Sequence, residues 1–236
     1  MKNPRRQPAH TIIARDIGIA IVTGQHAPGS VLSSEVEIAE QRHISRSVIR
    51  EALRTLSAKG LVESRPKAGT RVRSRADWNL LDPELLAWMF EGEPPAGFVR
   101  SLFQLRMIVE PAAAEIAALA RNSRQLSRMG HALEQMDLKG LSTPEGQAAD
   151  QIFHNTILEA TQNELIASLS ASIGAAVRWT TIFKHRSARR PRDSMPEHRR
   201  LFEAIADGDA AKAREATIVL LQQAKDDTEL LLGNRE

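Results

Sequence analysis

The sequence predicts a mainly α-helical protein in two parts. Residues 1–76 read as three helices closed by a two-stranded hairpin, and residues 77–236 as an all-α antiparallel bundle. Three observations predict this. Apolar residues recur at helical spacing from Ala9 almost to the end of the chain. One pair of short strand-like runs, 61–64 and 70–73, flanks a turn of Pro, Lys and Gly. Charge is divided unevenly, with 14 Lys and Arg against 6 Asp and Glu in residues 1–75, and 18 against 23 in the remainder. A first part that basic points to an anionic partner and leaves the second part free for another task.

Ile12, Ile13, Ile17, Ile19, Ala20 and Ile21 give a first helix that Gly24 stops. Ser33 or Ser34 can cap a second, with Glu35 and Glu37 in the first turn where the helix dipole favours them. His43 and Ile44 form a tight connection. Ser45 then caps a third helix whose stripe is Val48, Ile49, Ala52, Leu53 and Leu56, ended by Lys59-Gly60. Beyond residue 75 only helices are expected. Asp82-Pro83 opens one of them, and a long one over 97–121 is apolar at Phe98, Leu102, Leu105, Ile108, Val109, Ala112, Ile116 and Leu119, with a kink expected at Pro111. Helices over 123–137, 143–161, 164–184, 195–206 and 210–232 complete the bundle.

Two helices joined by a short turn, the second basic at its start, are the elements of a helix-turn-helix that reads the major groove. Ser45, Arg46, Ser47 and Arg50 lie in the first turn and a half of the reading helix, where an Arg fork reaches guanine and hydroxyls grip phosphate. Arg54, farther along the same row, faces either backbone phosphate or solvent. Lys67 and Gly69 mark the hairpin tip, and a glycine there lets a sugar-phosphate strand come close. The expected partner is double-stranded DNA.

In the second part, Asp150 and His154 stand four apart on one helix and so share a face, as a metal pair or as a simple i, i+4 contact. Arg106 lies in an apolar stretch, where it either pairs with Glu110 or awaits a ligand carboxylate. Arg178 and Trp179 would add a second cation and a flat apolar wall, or ordinary core. With no cysteine there is no disulfide framework and no thiolate site, which suits a cytoplasmic protein. No signal peptide or bilayer-spanning run is evident, so no membrane association is expected. No HExxH, nucleophile elbow or glycine-rich phosphate loop occurs, so a metal-dependent enzyme acting on a small carboxylate is the weaker alternative to a DNA-binding regulator.

Residues 32–72, LSSEVEIAEQRHISRSVIREALRTLSAKGLVESRPKAGTRV, resemble the winged helix-turn-helix of the GntR family of bacterial transcription regulators. One departure is Val36, where that motif usually carries arginine. The runs LRMIVEPAAAEIAA (105–118), ADQIFHNTILEATQN (149–163) and EHRRLFEAIADGDAAKAREA (197–216) resemble the FCD effector domain of the FadR subfamily. The stretch DWNLLDPELLAWMFEGE (77–93) is similar to the linker of regulators of galactonate and related sugar-acid operons. The resemblance implies a homodimer on a pseudo-palindromic operator, acting as a repressor that a small organic acid releases. It also implies that Arg106 meets the acid, and that Asp150, His154 and His198 are three members of an Asp and three-His site for Zn, Ni or Mn. The remaining histidine would fall near Leu220, which cannot ligate.

Overall fold

Ile13, Ala14, Ile17 and Ile21 fall at i, i+1, i+4 and i+8, and in the computed structural model they lie on the buried face of α1 (Ala9–Val22). The structure describes residues 7–65 and 69–233. Helix α2 (Glu35–Arg42) opens on a capping box in which the Ser34 hydroxyl accepts from the Glu37 amide while the Glu37 carboxylate accepts from the Ser34 amide. Helix α3 (Arg46–Ala58) buries Ile49, Ala52, Leu53 and Leu56 against α1 and α2. Burying each Ile or Leu contributes roughly 1.5–3 kcal/mol, enough to fix the orientation of α3 and with it the face it shows to solvent.

The chain leaves α3 through Gly60, whose φ of 75° suits a residue without Cβ. Strands β1 (Val62–Arg65) and β2 (Gly69–Val72) then pair antiparallel, Val62 with Val72 and Arg65 with Gly69. Gly69 takes φ 78° at the inner end of the tip. Lys67 lies outside the described residues.

Helix α4 (Pro83–Glu91) starts where the Asp82 carboxylate accepts from the Glu84 and Leu85 amides. Its Trp88 ring lies so close to Gly18 that a Cβ there would collide with it, and Arg15 pairs with Glu91 at 2.7 Å. The chain accordingly divides into the compact units Met1–Glu93 and Pro94–Glu236, and the segment after residue 76 packs with the first of them.

The second unit comprises α5 (Ala96–Ala120), α6 (Ser123–Lys139), α7 (Pro144–Ala160), α8 (Glu164–Ser168), α9 (Ser170–Ser187), α10 (Met195–Asp207) and α11 (Ala210–Gly233). Helix α5 packs on α11, α7 on α6 and α9, and α10 on α11, around a core that includes Ala114, Met129, Met136, Phe153, Leu201 and Leu221. Two expectations are corrected. The run from Glu164 is broken at Leu169 into α8 and α9. The buried side of α5 is made of Val99, Leu102, Phe103, Arg106, Glu110, Ala113, Ala114, Ala117 and Ala118, while Ile108, Ile116 and Leu119 face outward. Small residues let α11 and α7 approach that side closely, and the larger aliphatics are left on the other. The helix runs on through Pro111.

Candidate functional site

On the first unit, His43 ends α2 in the left-handed region (φ 53°), which turns the chain sharply into α3. Ser45 holds the N-cap position, but its side chain does not cap. Its hydroxyl lies 2.9 Å from that of Ser47, so the two form one polar patch at the start of the helix. Arg46, Ser47, Arg50 and Arg54 are all exposed on α3. Arg50 reaches Glu35 at 3.2 Å and Arg54 reaches Glu51 at 2.8 Å. Exposed pairs of this kind contribute at most about 1 kcal/mol, so either guanidinium can exchange its carboxylate for a phosphate or a guanine edge.

On the second unit, polar side chains from four helices converge, all buried but the half-buried Thr181. Asp150 and His154 come from α7, His198 from α10, Arg106 and Glu110 from α5, Thr180, Thr181 and Lys184 from α9. Arg106 donates to Glu110 at 2.6 Å and to the Thr180 hydroxyl at 3.2 Å. Glu110 in turn takes Nδ1 of His154 at 2.9 Å. Burial pushes the Glu110 carboxyl up, but Arg106 and His154 outweigh it and bring it down to about 2. Asp150 holds Nε2 of His198 at 3.2 Å, Nε2 of His154 at 3.5 Å and the Thr181 hydroxyl at 2.9 Å. Burial raises its carboxyl as well, and the two histidines and Thr181 pull it well below the usual carboxylate range.

The histidine tautomers follow from their outer partners. A carbonyl oxygen only accepts, so the Ser194 oxygen 2.7 Å from His198 Nδ1 places the proton on that nitrogen. Ionised Glu110 does the same for Nδ1 of His154. Each Nε2 therefore faces the carboxylate of Asp150, donating to it while the ring is protonated and offering its lone pair beside it once that proton is lost. The three ligand atoms lie within 4.8 Å of one another. Acceptors facing one point, each His braced by a carboxylate or carbonyl behind it, fit a divalent cation. Asp150, His154 and His198 would hold it.

These residues line a cavity of about 30 Å³, together with Arg106, Lys184 and Leu220. Leu220 thus stands in the wall beside the three candidate ligands. Burial pushes the Lys184 ammonium below its ordinary value despite Asp227 at 3.7 Å. Arg178 and Trp179 are half-buried and do not line the cavity, because Val177, Thr180, Thr181 and Lys184 take the inward positions of α9. Arg106 both pairs with Glu110 and borders the cavity. The pairing of Arg106 with Glu110 was one of the two readings the sequence offered, whereas the roles of Thr180, Thr181 and Lys184 escape a sequence reading. Each is a single polar residue in a helix, and only the packing of four helices brings them together.

Residues 11–72 match the family described as bacterial regulatory proteins, gntR family, and residues 101–223 match the FCD domain. The chain belongs to the GntR family. It carries the family's DNA-binding domain first and an FCD domain second. This GntR-family regulator is 33% identical over 209 residues to the galactonate operon transcriptional repressor of Escherichia coli (strain K12), covering 86% of this chain and 90% of that protein. It is 30% identical over 214 residues to the transcriptional regulator LutR of Bacillus subtilis (strain 168), covering 87% and 94%. Among solved structures it is similar to Lar, which controls the expression of the Listeria monocytogenes agr system, with a TM-score of 0.67 and 16% identity over 95% of this chain and 98% of that one. That last likeness speaks for the fold. No helix among the described residues is long and apolar enough to cross a membrane.

Proposed function

We propose that this GntR-family regulator is a dimeric repressor of a sugar-acid catabolic operon, released when a small organic acid binds in the helical unit. The observation that carries the reading is the cavity, which sets two buried cations, Arg106 and Lys184, beside the Asp150, His154 and His198 cluster. An acid needs a cation for its carboxylate and polar groups for its hydroxyls, and both are present in an otherwise apolar wall. A divalent metal there would polarise and anchor carboxylate or hydroxyl oxygens at its open positions. The similarity to a galactonate operon repressor makes galactonate and other aldonates the first acids to consider. The names of the relatives are those of regulators, which supports regulation over enzymatic turnover.

A cavity of about 30 Å³ is smaller than an aldonate, so such an acid enters only as the helices around it part. That requirement couples binding to shape. Ligand and DNA then act on each other reciprocally, each weakening the other by the same factor. On the DNA side, Ser45, Arg46, Ser47 and Arg50 read the major groove, Arg54 meets phosphate, and Gly69 lies at the wing. Two copies would read the half-sites of a pseudo-palindrome.

Fluorescence anisotropy tests this directly, using the full chain, a duplex from upstream of its own coding region, and galactonate and other aldonates titrated with divalent metal. Salt-sensitive binding that one acid releases is the expected result. Binding that every acid leaves unchanged would sink the sugar-acid assignment.

A further inference from the structure

We infer that the outward side of α5 is the surface on which a second copy of this chain docks, antiparallel, about a two-fold axis through Ala112. The inference rests on the dimeric reading above and names the face that would make it. Ile108 is 68% exposed, Ile116 39% and Leu119 71%, with half-buried Leu105 and Ala112 completing one stripe. Large aliphatics left in water along one helix face are the informative departure from ordinary surface.

The order along the stripe selects the occupant. Leu105, Ile108, Ala112, Ile116 and Leu119 read the same in both directions, with spacings of three, four, four and three residues. A two-fold interface needs a surface complementary to itself, in which residue i meets residue j and j meets i. Turned about Ala112, the stripe places Ile108 against Ile116 and Leu105 against Leu119 of the second copy. Alanine at the axis lets the two helices come to the near end of the usual 8–10 Å separation. The matched length, from Leu105 to Leu119, is about 21 Å.

Charge and shape agree. Of the charged residues on this stretch, Arg106 and Glu110 are buried and paired with each other, and Glu115 is paired with Arg214 at 2.9 Å. Two copies therefore meet without bare like charges. A groove of about 430 Å³ between α5 and α11, lined by Phe103, Met107 and Ile108 together with Arg100, Gln222 and Lys225, lies beside the stripe. It can receive Ile116 of the second copy and extends the contact toward the roughly 800 Å² per partner of a stable interface.

The test is molar mass by size exclusion with light scattering, on the full chain, for wild type, Ile108→Glu, Ile116→Arg and the double variant. Each single substitution puts a charge into the apolar seam and should raise the dimer dissociation constant by roughly 100-fold or more. In one chain the two positions are two turns apart and do not meet, whereas across the axis each new Glu faces a new Arg. The double variant is therefore expected to recover the two-chain mass. That recovery also shows that the single variants had not simply misfolded. A dimer indifferent to both single substitutions would overturn the α5 face and leave the dimeric reading standing. A double variant as dissociated as the singles would overturn the antiparallel pairing, and a monomeric wild type would overturn the dimeric reading itself.

Discussion

His198 Nδ1 lies 2.7 Å from the carbonyl oxygen of Ser194, at the start of its own helix, and this contact turns Nε2 toward Asp150. Backbone geometry, set by the turn into α10, thus decides which nitrogen faces the cluster. If the cluster holds a cation, removing a direct ligand and removing a brace should differ in degree. Asp150→Ala or His198→Ala is expected to abolish stoichiometric zinc, nickel or manganese binding in calorimetry. Glu110→Gln, which only loosens the hold on His154, should weaken it about 10- to 100-fold. Binding should also release protons and strengthen as pH rises, since the imidazole lone pairs must be free. Equal loss in the ligand and brace variants would contradict the assigned geometry.

Arg106 is expected to separate ligand response from DNA binding. Arg106→Ala would leave Glu110 buried with only His154 for a partner, at a stability loss of about 3–5 kcal/mol, so a lost response could be a folding defect. Arg106→Lys keeps the charge and removes the planar fork. That variant should bind the operator with unchanged affinity and need at least about tenfold more acid for release. A normal release curve would remove Arg106 from the acid site.

The reading helix makes a separate prediction. Arg46→Ala and Arg50→Ala should each weaken specific operator binding by about 1–3 kcal/mol if they reach base edges. Arg54→Ala should weaken specific and non-specific duplexes alike and lower the salt dependence by about one contact. Val36 is exposed on α2, where the family motif usually has arginine, so Val36→Arg should tighten binding. Anisotropy at two salt concentrations separates these cases.

Lys59 gives the first unit an alkaline limit. Burial alone would push its ammonium down, but carboxylates of Asp82 at 2.7 Å and Glu84 at 2.8 Å outweigh this and hold it above the ordinary 10.5. A raised folded value means that the stabilisation is fully present below about pH 10.5 and is lost as pH climbs through the folded value. The melting temperature of Lys59→Met should therefore lie below that of wild type by a constant margin at neutral pH. The margin should shrink above pH 10.5. A gap that stays constant there would show that Lys59 acts by packing against Trp88 alone.

The helix-turn-helix was legible because its signals are local. Ser34 and Glu37 spell a capping box, Asp82-Pro83 a helix start, and Ile49, Ala52, Leu53 and Leu56 a single apolar stripe. Helix α5 was legible in extent but not in phase. It is apolar on two sides, and hydropathy weighs Ile108 and Leu119 above the alanines that face the core. The i, i+4 spacing brought out Asp150 and His154, and the resemblance added His198. Lys184, Thr180, Thr181 and the Ser194 carbonyl carry no pattern in sequence, because they join the site only through the packing of α7, α9 and α10. Arg178 and Trp179 looked suited to a ligand by type, but the turn of α9 carries them away from the cavity.

Leu220 offers a last test of the cluster. It is buried on α11 and lines the same cavity as Asp150, His154 and His198, at the place where the family resemblance implies a further histidine. Leu220→His would bring an imidazole of comparable volume to that wall, beside three acceptors already aimed at one point. If they form a cation site, the added ligand should raise zinc affinity at least about tenfold. It should also close one position through which an acid would coordinate, so that operator release needs more aldonate even as metal is held more tightly. Tighter metal with unchanged release would place the acid on Arg106 and Lys184 without metal contact. Unchanged metal affinity would mean that position 220 lies out of ligating reach of the cluster.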